Sequence, residues 1–526
     1  MIQPDSNGLY HPASESDIID LINYAVQNKR QVRVRGAAES VSNAVYTDGY
    51  TGQAGSSNIN IELDQLRTVT PDKATMQVTV GGGCNLGFDP FDPSGVSKAD
   101  DSNNLFFQLN QLGWAIPNVP NAIHQTVAGF ISTGSSGGSM QHSFDECILS
   151  VRMIDGTGKI QVFTKSGNLD DQFYGVIVSM GLLGIITQVT LQCVPAFNIT
   201  GTQTTSVATA TEFDFFGPGN STQVSFQEFL TNTEFTDIMW WPFETLKRAI
   251  VWKAHTMTSA DYNQQTGYPP NFLPKPYQSL FYLKDTGSHQ LPVELVFATG
   301  FKLIATWPDW FNVLFETNEA SEKRAAELKP LVELIFPYIY PMLANISFPC
   351  NTPANPPQVF WDNWLGSLPM DKFEYSNNLF DLAYAEMWIP VEKTMAVVDA
   401  MQNLYDTAGY AATGFYTTVI LAAKSSNFWL SPAYNQNVVR INIMWFNKNI
   451  GDPVAYFQQF WSLMESNGIP FRPHWGKSLP AMGDAYMTAN YPKWSEWKTL
   501  RGQMDPNQIF VTDYWRTQLA IPPLAD

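Results

Sequence analysis

The segment QVRVRGAAES, residues 31–40, limits the fold more than any other stretch. It alternates polar and apolar residues over a short run and then stops in glycine and small side chains, which is the pattern of a strand feeding a loop. Before it, ASESDIIDLINYAVQNKR opens on a Ser/Asp start and carries Ile18, Ile19, Leu21, Ile22 and Ala25 at the spacing of one helical face. A second small-residue run, STGSSGG at 132–138, follows about a hundred residues later. Backbone stripped of side chains at two such places turns tightly or lies close to another group. Several N–H donors in small-residue loops suit a diphosphate.

A chain of 526 residues exceeds the size at which one hydrophobic core stops growing, so two domains are expected. With 44% hydrophobic and 15% charged residues, it is not a disordered chain. The formal charge of −18, with 30 Lys and Arg scattered along the length, opposes nucleic-acid binding. Four cysteines without CxxC spacing read as buried thiols. The N-terminus lacks a basic region followed by an apolar run, and no uninterrupted apolar stretch is long enough to span a bilayer, so a soluble cytoplasmic protein is expected. Sequons at Asn198, Asn220 and Asn345 would matter only in a secreted chain.

Strand signals recur at MQVTVGGG (76–83), ILSVRMID, KIQVFT and GIITQVTLQCVP, with an acidic surface loop over 88–104. Beyond Pro195 the texture changes to aromatic-rich strands such as EFTDIMWWPF and AIVWKAHTM, plus a helix pattern at 318–335. The expected organisation is therefore a first domain over 1–198, a second over 199–480, and a closing segment over 481–526 that returns to the first. GGGCNLG (81–87) lacks the Gly-x-Gly-x-x-Gly spacing and opens no helix, so NAD is not supported.

Taken in order, Pro12–Asp17, VRVRGAAES, Thr47-Asp48-Gly49, QTVAGFISTGSSGG (125–138) and SMGLLGIITQVTLQCVP (179–195) resemble the flavin domain of the vanillyl-alcohol oxidase and p-cresol methylhydroxylase (PCMH) superfamily. MWWPF (239–243), AEMWIP (385–390), WLSPAY (429–434), FRPHWGK (471–477) and DPNQIF (505–510) are similar to its aldonolactone and alditol oxidase branch. The resemblance implies an α+β fold: a PCMH-type FAD-binding domain roofed by a substrate domain built on an antiparallel sheet. It implies FAD held by Arg35, Gly36, Ala37, Ala38, Glu39 and Ser40, by Thr126, Gly129, Thr133, Gly134, Ser135, Ser136, Gly137 and Gly138, and by Gly184, Ile185 and Ile186.

In the family loop, Arg-Gly-x-Gly-His-Ser, the histidine often bonds covalently to the flavin. Here Ala38 replaces the second glycine and Glu39 the histidine, and no cysteine lies in the 129–142 loop, so non-covalent FAD is expected. Lys477, His474 and Glu386 match the branch's site motifs as catalytic candidates. Lys477 would place positive charge near the flavin or a substrate oxygen, and His474 would orient Lys477 or take a proton. The branch's Glu-x-Arg pair, counted back from Leu430-Ser431-Pro432, falls on Val419 and Leu421, which argues for an apolar substrate over a polyol. The remaining histidines show no ligand spacing, and no metal is expected.

The leading expectation is an FAD-dependent oxidase that takes hydride from a small, relatively apolar alcohol or related carbon centre, with molecular oxygen as acceptor. A redox-neutral or cyclising flavoprotein of the same fold, and a non-catalytic scaffold, are the alternatives.

Overall fold

The computed structural model describes residues 1–89, 103–243, 246–258, 348–368, 382–412, 417–446 and 452–524, with residues 261, 345 and 414. The helix expected at 318–335 and most of the surface loop at 88–104 lie outside these.

The helix Glu15–Asn28 starts on a capping box, in which Ser14 and Asp17 satisfy each other's backbone N–H groups, and buries Ile18, Leu21, Ile22 and Ala25. Strands β1 (Leu9–Tyr10), β2 (Val32–Arg35) and β3 (Ile59–Glu62) form a small parallel sheet in the order β1-β3-β2. Then come β4 (Val69–Asp72), β5 (Gln77–Gly81), β6 (Trp114–Ala115), β7 (Ile148–Asp155), β8 (Ile160–Thr164), β9 (Gly184–Gln192) and β10 (Val194–Pro195). Five of them make an antiparallel sheet in the order β4-β5-β9-β7-β8, and β10 pairs back onto β6.

From Asn198 the chain builds a second, larger antiparallel sheet. Its strands are β11 (Asn198–Val207), β12 (Phe235–Trp241), β13 (Arg248–Thr256), β14 (Gln358–Asn363), β15 (Leu382–Pro390), β16 (Thr418–Ala423), β17 (Val438–Phe446) and β18 (Arg472–Pro473). Their order is β14-β11-β13-β12-β16-β17-β15-β18. Successive residues of a strand point to opposite faces. One face, with Ile238, Trp240, Ile420, Ile441 and Ile443, packs into a core shared with the helices Thr394–Ala408 and Pro453–Ser466. The other, with Met239, Trp241, Val419 and Leu421, joins the core of the first domain. The architecture is α+β.

The last helices, Trp494–Met504 and Asp513–Leu519, return to the N-terminal sheets. Val32 N–H donates to Ile509 O at 2.7 Å, and Trp515 Nε1 donates to Ala44 O at 3.0 Å. The buried guanidinium of Arg33 donates to the carbonyls of Ala44, Met180 and Phe510, which joins three distant segments. Backbone carbonyls buried in this way need a donor, and one planar fork serves three.

Candidate active site

A cleft with about 810 Å³ of empty space, counting its open mouth, runs between the end of β2, the loop 36–40, the start of the helix Val127–Ser132 and the start of β9. Arg35 to Ser40, Thr126, Gly129, Thr133, Gly184 and Ile186 line it, and Trp475 and Trp515 from the far end of the chain complete the wall. Among the described residues, the backbone N–H groups of Ala37, Ala38, Glu39 and Ser40 donate no hydrogen bond. Ala38 is left-handed, with φ 59°, at the position where the resembling loop has glycine. A turn with consecutive free amides of this kind is a nest for an anion. Gly36 serves a different need, because a Cβ there would lie 2.2 Å from Thr126 Oγ1.

Ile185 does not line the cleft. Strand alternation sends Gly184 and Ile186 to the cleft side and buries Ile185 in a cluster with Ile18, Ile22 and Ile154. Gly134 to Gly138 also lie beyond the cleft lining, at the junction with the large sheet. A Cβ on Gly138 would meet Thr236 O at 2.3 Å, and one on Gly137 would meet Asn118 Oδ1 at 2.0 Å. Gly138 thus allows the two domains to touch, and Gly137 a close approach within the first domain.

Glu39 forms an ion pair with His124, Oε1 to Nε2 at 2.5 Å, while 31% of its side-chain surface stays open on the cleft. Burial by itself would raise its carboxyl. The neighbouring His124 and, further off, Lys477 reverse that and hold it at about 2.

Facing the 134–138 loop, the large sheet presents two rows of side chains set by register. One row runs Met239, Val419, Asn442, Glu386, and the other Asp237, Leu421, Arg440, Trp388. Val419 and Leu421 do occupy this face, but charge enters from the next strands. Arg440 Nε donates to Glu386 Oε1 at 2.6 Å, and Nη1 donates to the carbonyls of Ser136 and Gly137 at 2.9 and 2.8 Å. The guanidinium also lies over the Trp388 ring, 4.6 Å from its centroid. Burial would raise the Glu386 carboxyl, but the neighbouring Arg440 outweighs it and holds it below the usual carboxylate value. Asp237, held by Asn121 Nδ2 at 3.1 Å, is pushed up by burial to about 7.

The ribbon carrying HWGK is stitched to β15, with His474 N–H on Glu386 O and Ser478 N–H on Tyr384 O. His474 Nδ1 accepts from Gly476 N–H at 3.0 Å, which leaves the proton on Nε2, donated to Ser135 Oγ at 2.9 Å. Burial lowers its pKa to about 4, so the ring is neutral. Lys477 Nζ sits 4.5 Å from the Tyr384 ring centroid, with no carboxylate within 4 Å among the described residues.

Residues 333–518 match the family model described as D-arabinono-1,4-lactone oxidase. The L-gulonolactone oxidase of Mus musculus is 21% identical over 510 residues, covering 96% of this chain and 93% of that protein. The D-arabinono-1,4-lactone oxidase of Saccharomyces cerevisiae is 25% identical over 268 residues, 48% of this chain and 41% of that protein. Among solved structures, cholesterol oxidase from B. sterolicum superposes with a TM-score of 0.68 at 13% identity, over 97% of this chain and 94% of that one. The chain is thus similar to aldonolactone oxidases over its C-terminal part and to L-gulonolactone oxidase over nearly its whole length, and it shares the fold of the cholesterol oxidase structure.

Sequence reading singled out Glu39, Glu386, His474 and Lys477 but not His124, Asp237, Arg440 and Asn442, which the structure places beside them. The last three had a signal, since each is a polar residue inside an otherwise apolar strand, in FTDIMWW and VVRINIMWF. His124 had none, because its partner lies in a separate loop.

Two outcomes follow from the cleft. Replacing Ala38 with glycine relieves a left-handed alanine costing roughly 1–2 kcal/mol and loses about 0.4–1 kcal/mol to unfolded-chain freedom, so Ala38→Gly should raise the denaturation midpoint. Because the Glu39 carboxyl is lowered from 4.5 to about 2, its stabilisation is present above pH 4.5 and lost as pH falls toward 2. The stability gap between wild type and Glu39→Gln, followed by thermal denaturation across that range, should close on acidification.

Proposed function

We propose that this protein is an FAD-dependent oxidase that takes hydride from a small, relatively apolar alcohol or related carbon centre and holds its FAD without a covalent bond. The observation that supports it most is the cleft: a nest of unpaired amides, backed by the cation of Arg33, opens next to a roof bearing one ionised carboxylate and one ammonium. This donor set fits the diphosphate of FAD. Ala37 to Ser40 would hold it. Bound FAD supplies a hydride acceptor that the side chains cannot provide.

The remaining chemistry falls to this chain's own groups. Lys477 would offset the negative charge that hydride transfer brings to the bound flavin. Glu386 has Oε1 on Arg440, while Oε2 makes no hydrogen bond among the described residues, and that oxygen receives the substrate proton. Both ring nitrogens of His474 are engaged, so it positions Ser135 and the Lys477 turn and takes no proton itself.

The relatives are named for lactones rich in hydroxyl groups. Here Val419 and Leu421 stand in the centre of the roof, and hydroxyls facing them would lose water without gaining a partner. Non-covalent attachment is supported by Glu39, already committed to His124, and by Cys147, a buried thiol that burial pushes up to about 12 and that does not line the cleft.

Acid precipitation of the holoprotein should leave all the flavin in the supernatant, and flavin retained in the pellet would refute the attachment claim. For the reaction, anaerobic flavin bleaching followed by peroxide release on admitting air should be faster with cyclic alcohols bearing one hydroxyl than with D-arabinono-1,4-lactone. The reverse order would return this protein to its relatives' substrates.

A further inference from the structure

Asn442 occupies a position that the mechanism above leaves unused. It stands on β17 between Val419 and Glu386 in register, so its side chain shares their face, with Cβ atoms roughly 4.5–5.5 Å apart. That face looks toward the first domain, because Arg440, two residues earlier on the same side, reaches the carbonyls of Ser136 and Gly137. Asn442 is 8% exposed. Its amide makes no hydrogen bond among the described residues and its polar atoms are not fully enclosed, whereas Glu386 beside it has Oε1 on Arg440 and Val419 belongs to the apolar core.

An amide carries two donors and two acceptor lone pairs, and in a mostly buried place without a protein partner it adds no stability over an apolar residue of the same shape. Valine or leucine, as at 419 and 421, would fill the site at no loss of stability. We infer that Asn442 is the substrate-recognition residue of this chain, binding one neutral oxygen function, a carbonyl or a single hydroxyl, next to the apolar surface of Val419 and Met239. This rests on the oxidase reading above and narrows it to a substrate class: a small ring with one neutral oxygen beside otherwise apolar carbon. A polyol chain is disfavoured, since one amide beside the apolar side chains of Val419 and Met239 partners one oxygen function.

The test uses full-length, FAD-loaded protein with γ-valerolactone, which has a ring carbonyl and no hydroxyl, and D-arabinono-1,4-lactone as the hydroxylated counterpart. Binding is read from the flavin difference spectrum, and stability from the melting temperature without ligand. Asn442→Leu should weaken γ-valerolactone binding by roughly 3- to 10-fold while leaving the melting temperature unchanged or higher, because no hydrogen bond within the protein is removed. Asn442→Thr, which keeps a hydroxyl on a strand-compatible side chain, should fall between Leu and wild type. Unchanged affinity in Asn442→Leu, or a melting temperature that drops, would overturn the inference while leaving the oxidase reading in place. A wild-type protein with no response to γ-valerolactone that answers only the hydroxylated lactone would overturn both this substrate class and the apolar reading it rests on.

Discussion

The guanidinium of Arg440 holds the two halves of this molecule in working relation. One planar group engages the Glu386 carboxylate, two carbonyls of the 134–138 loop and the face of Trp388. Without it the loop would keep only the Thr236 N–H on Gly138 O and the Ser135–His474 contact as ties to the second domain, and Glu386 would be a buried charge without its ion-pair partner, a situation that costs about 3–5 kcal/mol. The same contact sets where Ser135 lies, hence where His474 donates, and so how the turn carrying Lys477 leaves β18. Positioning here passes through hydrogen bonds of fixed geometry, which suits chemistry that tolerates little slack.

What could be read from the amino-acid sequence follows a physical division. Local patterns were legible: the capped helix before VRVRG, the small-residue loop with Glu39 in place of histidine, and the aromatic strands beyond Pro195. Lys477, His474 and Glu386 came from motif resemblance. Pairings across strands were not legible, because they depend on register. Val419 and Leu421 fall where counting back from Leu430 puts them, yet the charge of the roof comes from Arg440, whose facing is set only once β16 and β17 are aligned. Likewise Glu39 and His124 meet through tertiary packing between separate loops. The 134–138 loop was read as a cofactor contact by its composition, but its glycines first serve a close approach between backbones.

The large sheet also explains why periodicity was a weak guide in the second domain. With a helical layer on one face and the first domain on the other, its strands are apolar on both sides and lose the simple in-and-out alternation. In such strands a polar side chain is the exception. Asp237, Arg440 and Asn442 all fall on the face turned to the first domain, and none on the face turned to the helices.

The tie made by Arg33 among Ala44, Met180 and Phe510, with Trp515 closing one wall of the cleft, has a consequence for biogenesis. A nascent chain that has synthesised its first two hundred residues owns both small-residue loops but only part of their enclosure. Residues 494–519 must fold back over several hundred residues before that wall is in place, so a fragment lacking them would leave one flank of the pocket bare to solvent.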